Sequence, residues 1–135
     1  MCIRDSLVRG DVGNLDKYAD DAELSELCAI DVIDYFPLNK CEEALSNWAK
    51  KIRIGGKLII GGIDLIEVCK SFSQYRMDIT EANRLIHGEQ TKPYLFRKVN
   101  FTASGLSEYI SEKFGFKVTK KRINHYFMVI EAERN

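Results

Sequence analysis

Apolar side chains recur three or four residues apart in the stretch that follows Pro37, and this spacing predicts an amphipathic helix. The positions in this stripe are Leu38, Cys41, Leu45, Trp48 and Ile52. Asn39 and Glu42 have the spacing of a capping box at the start of the helix. Gly55-Gly56 is expected to end the helix, because glycine adopts a positive φ without steric cost.

Two apolar runs on either side of this helix predict buried strands. Residues 24–33 form the first run, and Leu58-Ile59-Ile60 forms the second. The second run does not alternate between polar and apolar residues, so both of its faces are expected to be covered, as in a parallel sheet flanked by helices. A shorter strand is predicted before them at Leu7-Val8-Arg9.

The second half of the chain predicts three more helices and a hairpin. Asp64 and Asp78 are each followed three residues later by a glutamate, which is the spacing of a capping box. A third helix is predicted over residues 106–114. Residues 117–123 and 126–132 predict two strands, which the short turn between them makes antiparallel. The whole pattern predicts an α/β fold whose mixed sheet has helix-linked parallel strands and a C-terminal antiparallel hairpin.

Composition suits one globular domain and gives no sign of a charged partner. The 135 residues are 45% hydrophobic and 30% charged, which is enough for a sizeable core. Lys+Arg and Asp+Glu both number 20, so the net charge gives no reason to expect a nucleic-acid or membrane partner. No apolar run approaches the ~20 residues that a membrane helix needs.

The cysteines and histidines argue against a metal site and against a disulfide framework. The four cysteines are scattered without a Cys-x-x-Cys pair, and histidine occurs only twice. We therefore expect no metal. We interpret the cysteines as small buried hydrophobic residues of a cytoplasmic protein, in which thiols stay reduced.

The element order and several motifs resemble the distal two-thirds of a class I S-adenosylmethionine-dependent methyltransferase of the type 11 subgroup. The most specific match is residues 45–60, LSNWAKKIRIGGKLII, which is similar to the family's Leu-x-Glu-Trp-x-Arg-Val-Leu-Lys-Pro-Gly-Gly-x-Leu-x-Ile pattern. Weaker matches are Gly10-Asp11-Val12, Val32-Ile33-Asp34-Tyr35, Ile63-Asp64, His87-Gly88-Glu89-Gln90 and Gly115-Phe116. Two departures are Asp34-Tyr35 in place of Glu-His and Ile54 in place of a proline.

The resemblance implies a Rossmann-like three-layer sandwich that binds S-adenosylmethionine and acts on a small molecule or a glycan precursor. By resemblance, Asp11 accepts a hydrogen bond from the adenine amino group, with Gly10 and Val12 beside it. Ile30 and Asp31 correspond to the end of the family's fourth strand, near the methionine part of the cofactor. The alternative for Asp11 is a turn-capping aspartate, and the alternative for Asp31 is a strand end that faces solvent.

The resemblance also implies a set of substrate contacts, which are Asp34, Asp64, His87 and Gln90. Methyl transfer is an in-line attack on a sulfonium, for which alignment can supply most of the catalysis. Asp31 and His87 are the candidates for a general base that deprotonates the acceptor. The alternatives are a helix cap for Asp64, a surface position at a helix entry for Asp34 and a solvated loop histidine for His87.

The family's first strand and its Glu-x-Gly-x-Gly-x-Gly loop have no counterpart in the sequence, although that loop brings the backbone close to the cofactor. We therefore expect a partial methyltransferase domain over residues 7–135 whose first strands are missing. Residues 1–6 are expected to be an unstructured or artefactual start. We also expect the chain alone to bind the cofactor weakly or not at all, and to express poorly or self-associate through an exposed sheet edge.

Two other interpretations stay open. One is a non-catalytic methyltransferase-like interaction module, and the other is a different α/β nucleotide-binding enzyme, such as a dehydrogenase. The C-terminal hairpin and the stretch from Trp48 to Gly55-Gly56 favour the methyltransferase. A glycine-rich loop after a strand, followed ~20 residues later by an acidic residue, would distinguish a catalytic domain from a scaffold.

Overall fold

The computed structural model of the chain describes residues 2–4, 8–9, 15 and 19–135, and it describes residues 2–4 and 8–9 by their backbone pairing. The predicted adenine-binding segment Gly10-Asp11-Val12 lies outside the described residues. Its role therefore stays a prediction. The other predicted site residues all lie within the described part of the chain.

A six-stranded mixed sheet forms the middle layer, with the strand order β2-β1-β3-β4-β6-β5. Its strands are β1 (Cys2–Arg4), β2 (Val8–Arg9), β3 (Leu24–Ile30), β4 (Ile52–Ile63), β5 (Phe116–Asn124) and β6 (Phe127–Arg134). The pair β3–β4 is parallel, and all other neighbouring pairs are antiparallel. The predicted α/β fold, with a parallel pair joined through a helix and a C-terminal antiparallel hairpin, is confirmed.

Strand β1 lies where the sequence pattern predicts no element. Its backbone pairs antiparallel with β3, from Cys2 opposite Cys28 to Arg4 opposite Glu26. Cys2–Arg4 falls within residues 1–6, which were predicted as an unstructured or artefactual start, and its pairing covers the outer edge of β3 over this stretch. A strand of three residues is too short to show a hydrophobic period. It forms because its backbone pairs with the edge of β3, and the sequence pattern does not predict it. Self-association of the chain stays a prediction.

Four α-helices flank the sheet in the described part of the chain: α1 (Leu38–Lys51), α2 (Leu65–Ser73), α3 (Ile79–His87) and α4 (Ala103–Phe114). The caps predicted at Asp64 and Asp78 are confirmed, since each side chain accepts a hydrogen bond from a first-turn N–H. The capping box predicted at Asn39 and Glu42 is wrong, because the N-cap of α1 is Pro37, two residues earlier, and it has no side-chain cap. None of the helices described here is long and apolar enough to cross a membrane.

The Gly55-Gly56 pair shapes β4 instead of ending α1, which stops before Ile52. β4 pairs with β3 at Ile52 opposite Leu24 and next at Lys57 opposite Glu26. Four residues of β4 therefore face one residue of β3, and Gly55 takes a φ of 81° within this bulge. The prediction of a glycine helix end is wrong, because a local glycine signal does not distinguish a helix terminus from a strand bulge.

The main hydrophobic core joins α1, α4 and one face of the sheet. Trp48 of α1 is fully buried, as the helical stripe predicts, and its ring meets Phe36 edge-on with 6.1 Å between centroids. Ile60 of β4 and Ile110 of α4 belong to the same core and are fully buried. The burial of these apolar side chains is the main source of stability for such a fold.

A second, smaller core lies on the other face of the sheet. It contains Ile63 of β4, Val68 of α2 and Leu85 of α3. Side chains alternate along a strand, so Ile60 and Ile63 face opposite sides of the sheet. The helices therefore cover the sheet from both faces, which gives the three layers that the sequence predicted.

Asp64, the residue after β4, ties two helices to the end of that strand. Its Oδ1 accepts hydrogen bonds from the backbone N–H groups of Ile66 at 2.9 Å and Glu67 at 3.3 Å. Its Oδ2 accepts a hydrogen bond from the Ala103 N–H at 3.0 Å. A carboxylate at the N-termini of α2 and α4 satisfies free donors and suits both helix dipoles.

Replacing Asp64 tests this double cap. Asp64→Ala is expected to lower the free energy of unfolding by about 2–4 kcal/mol, because it removes a cap and leaves buried N–H groups without partners. Asp78→Ala is the matched control, since Asp78 gives up a single exposed cap bond to Glu81, which is worth about 1 kcal/mol. Urea unfolding measures both variants, and equal losses would contradict the double cap.

Candidate functional site

An open cleft of about 410 Å³ lies where β3 ends. Its lining residues are Asp31, Val32, Tyr35, Phe36, Tyr94, Leu95 and Lys98. The first four follow β3 directly, and the last three belong to the connection between α3 and α4. Ligands of open α/β sheets bind at the carboxyl ends of parallel strands, and β3 belongs to the parallel pair. The cleft is therefore the candidate functional site.

Asp31 enters the cleft from a left-handed turn at the end of β3. Ile30, the last residue of the strand, is half-exposed, and Asp31 has a φ of 58°. Aspartate is one of the few residue types that tolerate this conformation. The Asp31 N–H still donates to the Gly61 carbonyl of β4 at 2.9 Å. The backbone of Asp31 is therefore fixed to the sheet at the point where its side chain enters the cleft.

Arg97 holds two of the predicted site carboxylates together. Its Nη1 donates to Asp31 Oδ1 at 2.6 Å and to Asp34 Oδ2 at 2.7 Å. The side chain is 8% exposed, and the guanidinium lies over the Tyr35 ring, 5.0 Å from its centroid. Burial acts against the charged guanidinium, but the two carboxylates outweigh it and hold the pKa of Arg97 above its ordinary value. Arg97 is therefore a permanent cation between them.

Asp34 lies beneath the cleft rather than on its surface. Its side chain is fully buried, and burial raises the pKa of its carboxyl to about 6, although the Arg97 charge opposes the rise. Its backbone carbonyl accepts hydrogen bonds from the N–H groups of Lys98 at 2.7 Å and Val99 at 3.1 Å. Asp34 thus anchors the 97–99 segment, and it does not line the cleft in which a substrate contact was predicted.

Tyr35 contributes an aromatic ring beside the Arg97 guanidinium. Burial raises the pKa of its phenol, and the negative charge of Asp31 adds to the rise. The phenol therefore stays neutral near neutral pH, and Tyr35 presents an uncharged ring beside the guanidinium.

The remaining predicted contacts lie away from the lining of the cleft. Asp64 is buried, with both carboxylate oxygens bonded to helix N–H groups, so the cap that was the alternative for this residue is present. His87 is exposed at the end of α3, and its carbonyl accepts the Arg97 N–H at 2.8 Å. Gln90 is exposed with a φ of 61°, and its N–H donates to the Leu95 carbonyl at 3.3 Å. His87 and Gln90 thus flank the segment that carries one wall.

Among the residues of the site that were missed from the sequence are Tyr94, Arg97 and Lys98. They lie in residues 89–100, which have no apolar period and predict only a loop of mixed aromatic and basic content. The structure places a short 3-10 turn at Pro93–Leu95 in this segment. The mixed composition was the available signal, but nothing local indicates that Arg97 meets carboxylates more than 60 residues earlier.

The described residues contain no group of three or more His, Cys, Asp and Glu side chains placed to hold a metal ion. In sequence comparisons, no family model matches the chain. No curated protein matches it either. Similarity to known proteins therefore comes from the three-dimensional structure.

Comparison with solved structures finds methyltransferases. An O-methyltransferase family protein from Burkholderia thailandensis is 12% identical, with a TM-score of 0.60 over 95% of this chain and 35% of its own. A 1,6-didemethyltoxoflavin-N1-methyltransferase from the same species, with bound 1,6-didemethyltoxoflavin and S-adenosylhomocysteine, is 14% identical, with a TM-score of 0.59 over 95% and 50%. Magnesium protoporphyrin IX methyltransferase from Synechocystis, with bound S-adenosylhomocysteine, is 11% identical, with a TM-score of 0.59 over 95% and 50%.

These likenesses define a shared fold. The chain aligns over almost its whole length, but it spans only 35% to 50% of the length of these three proteins. Sequence identities this low carry over no substrate and no residue role. The chain has the Rossmann-like fold of class I S-adenosylmethionine-dependent methyltransferases.

Proposed function

We propose that the chain forms the distal part of an S-adenosylmethionine-dependent methyltransferase that acts on a small molecule. The observation that carries the proposal is a cleft at the carboxyl end of β3, within a methyltransferase fold. Such clefts are the usual ligand sites of open α/β sheets. The two similar methyltransferases that hold S-adenosylhomocysteine support the same cofactor for this chain.

The residues at the end of β3 fit a cationic cofactor. The Asp31 side chain is 46% exposed, and the Tyr35 ring lies in the same lining. A carboxylate and aromatic rings both attract a positive charge. Ile30 and Asp31 would hold the methionine part of the cofactor, and Gly10-Asp11-Val12 would hold the adenine. When bound, S-adenosylmethionine supplies the methyl group.

Asp31 is the better placed of the two proposed general bases. Its carboxylate lines the cleft, and Arg97 fixes its direction through a 2.6 Å hydrogen bond. A carboxylate held in this way orients an acceptor O–H or N–H and takes its proton as the methyl group arrives. His87 does not line the cleft, so it would act only after the 87–98 segment moved. Asp34 and Asp64 serve the scaffold in this proposal, and Gln90 stays a peripheral contact.

Cofactor binding can be measured on the chain itself by heteronuclear NMR. Millimolar S-adenosylhomocysteine is expected to shift the amide signals of Ile30 and Asp31 with weak affinity, because the sequence lacks the glycine-rich loop. Asp31→Asn is expected to weaken binding about threefold to tenfold, since it removes the exposed carboxylate. Asp20→Asn, at an exposed aspartate outside the cleft, is the matched control and is expected to change nothing.

Two results would contradict this proposal. One is the absence of any ligand-dependent shift at the end of β3, which would favour the non-catalytic interaction module. The other is an equal effect of the two aspartate substitutions. Micromolar affinity in calorimetry would instead contradict our expectation that the glycine-rich loop is needed for tight binding.

The Asp34 anchor of the cleft predicts a pH-dependent stability. Its pKa is raised from 3.8 to about 6 in the folded chain, so ionisation of Asp34 favours the unfolded chain. The stability that the chain has while the Asp34 carboxyl is protonated is fully present below about pH 4. It is lost as the pH rises through about 6, and the free energy of unfolding falls by about 3 kcal/mol. Asp34→Asn cannot ionise, so its stability deficit relative to the parent chain is expected to shrink by most of that amount from about pH 4 to 7.

Urea unfolding at a series of pH values measures this difference. Asp20→Asn is again the control, because an exposed carboxylate adds little pH dependence of its own. A deficit of Asp34→Asn that stays constant from about pH 4 to 7 would show that Asp34 ionises normally in the folded chain.

A further inference from the structure

We infer that the cleft binds a small planar aromatic molecule that carries an anionic group, with Tyr35 and Tyr94 as ring contacts and Lys98 as the partner of the anion. The identification of this molecule as the methyl acceptor rests on the proposed function. The binding site itself stands on the charges and rings of the lining, whether or not a cofactor binds beside it.

The aromatic character of the ligand follows from three of the seven lining residues. Phe36 is fixed by its edge-on contact with Trp48, and Tyr35 is fixed beneath the Arg97 guanidinium. Tyr94 is 66% exposed, although it lines the cleft. Two rings with fixed positions and one exposed ring form a preorganised surface for a flat ligand, because aromatic pairs gain from stacked or edge-on contact beyond the area that they bury.

The anionic group follows from an imbalance among the charged side chains. Asp31, the carboxylate of the lining, is already ion-paired with Arg97. Lys98 Nζ makes no hydrogen bond or ion pair with any residue that the structure describes, while the Lys98 N–H is fixed to the Asp34 carbonyl at 2.7 Å. The cleft therefore offers an unpaired ammonium on an anchored backbone. A carboxylate or another small anion is its chemical complement.

The size of the cleft sets the scale of the ligand. A volume of about 410 Å³ is at the small end of small-molecule sites and accommodates a molecule of one to three rings. A neutral aromatic ligand would leave Lys98 without a partner, and a non-aromatic acid would leave the rings without a stacked surface. The combination of ring and charge is what distinguishes the inferred class.

Three probes of similar size separate these contributions in NMR titrations of the full chain without S-adenosylmethionine. They are 2-naphthoate, the neutral 2-naphthamide and the non-aromatic decahydro-2-naphthoate. We expect 2-naphthoate to bind at least about tenfold more tightly than either of the other two, because a charge-assisted hydrogen bond and ring stacking each contribute about that factor. Signals of Tyr35, Tyr94 and Lys98 are expected to shift.

Substitutions on the cleft wall assign the two contributions. Lys98→Met is expected to weaken 2-naphthoate about tenfold and to leave 2-naphthamide unchanged, whereas Lys98→Arg keeps 2-naphthoate binding within about threefold. Tyr94→Leu is expected to weaken both naphthyl probes, and Tyr94→Phe is expected to keep them. Lys121→Met and Tyr75→Leu are the matched controls, since both residues are exposed and outside the cleft.

The outcomes are separable from those of the cofactor experiment. Equal affinity for 2-naphthoate and 2-naphthamide, or no effect of Lys98→Met, would overturn the inferred class even if S-adenosylhomocysteine binds at Ile30 and Asp31. Selective binding of 2-naphthoate without any response to S-adenosylhomocysteine would support the aromatic-acid site and contradict the methyltransferase. Shifts that map outside the cleft would also overturn the inference.

Discussion

The Arg97 guanidinium, held between Asp31 and Asp34, is the interaction on which the candidate site depends. A cation that is 8% exposed is tolerable inside a protein only when it is paired and hydrogen-bonded. This pairing joins the connection between α3 and α4 to the turn after β3. Without it, the connection would keep its backbone hydrogen bonds to the Asp34 and His87 carbonyls but lose its ion pairs to the turn. The wall that carries Tyr94 and Lys98 would then be held less firmly.

Each strand of the parallel pair is followed directly by an aspartate, and the two aspartates have different tasks. Asp64, after β4, is buried and uses both oxygens to cap α2 and α4. Asp31, after β3, takes a left-handed turn and keeps 46% of its side chain exposed. Helix α2 begins directly after Asp64 and covers the end of β4. The turn at Asp31 leaves the other strand end open, and the candidate cleft lies there.

Local patterns predicted the parts of the fold that local forces decide. Trp48 was correctly placed in the core by its period, and Asp64 and Asp78 by their cap spacing, because both signals act within one or two helical turns. Gly55-Gly56 was wrong, since glycine permits both a helix end and a strand bulge. Arg97 was missed entirely, because its partners lie 63 and 66 residues earlier and no period or motif connects them.

The buried Asp34 carboxylate, one of the two partners of Arg97, explains why β4 has a glycine at position 62 near its end. From the sequence, Gly61-Gly62 indicates only a flexible strand exit, but a Cβ on Gly62 would lie 2.9 Å from both carboxylate oxygens of Asp34. The strand is therefore free of a side chain where the buried carboxylate packs against it. A larger residue at Gly62 would displace Asp34 and, with it, the partner of Arg97. The position of Asp34 beneath the cleft therefore depends on a glycine at position 62 of β4. This dependence arises from contact in the folded structure and not from closeness in the sequence.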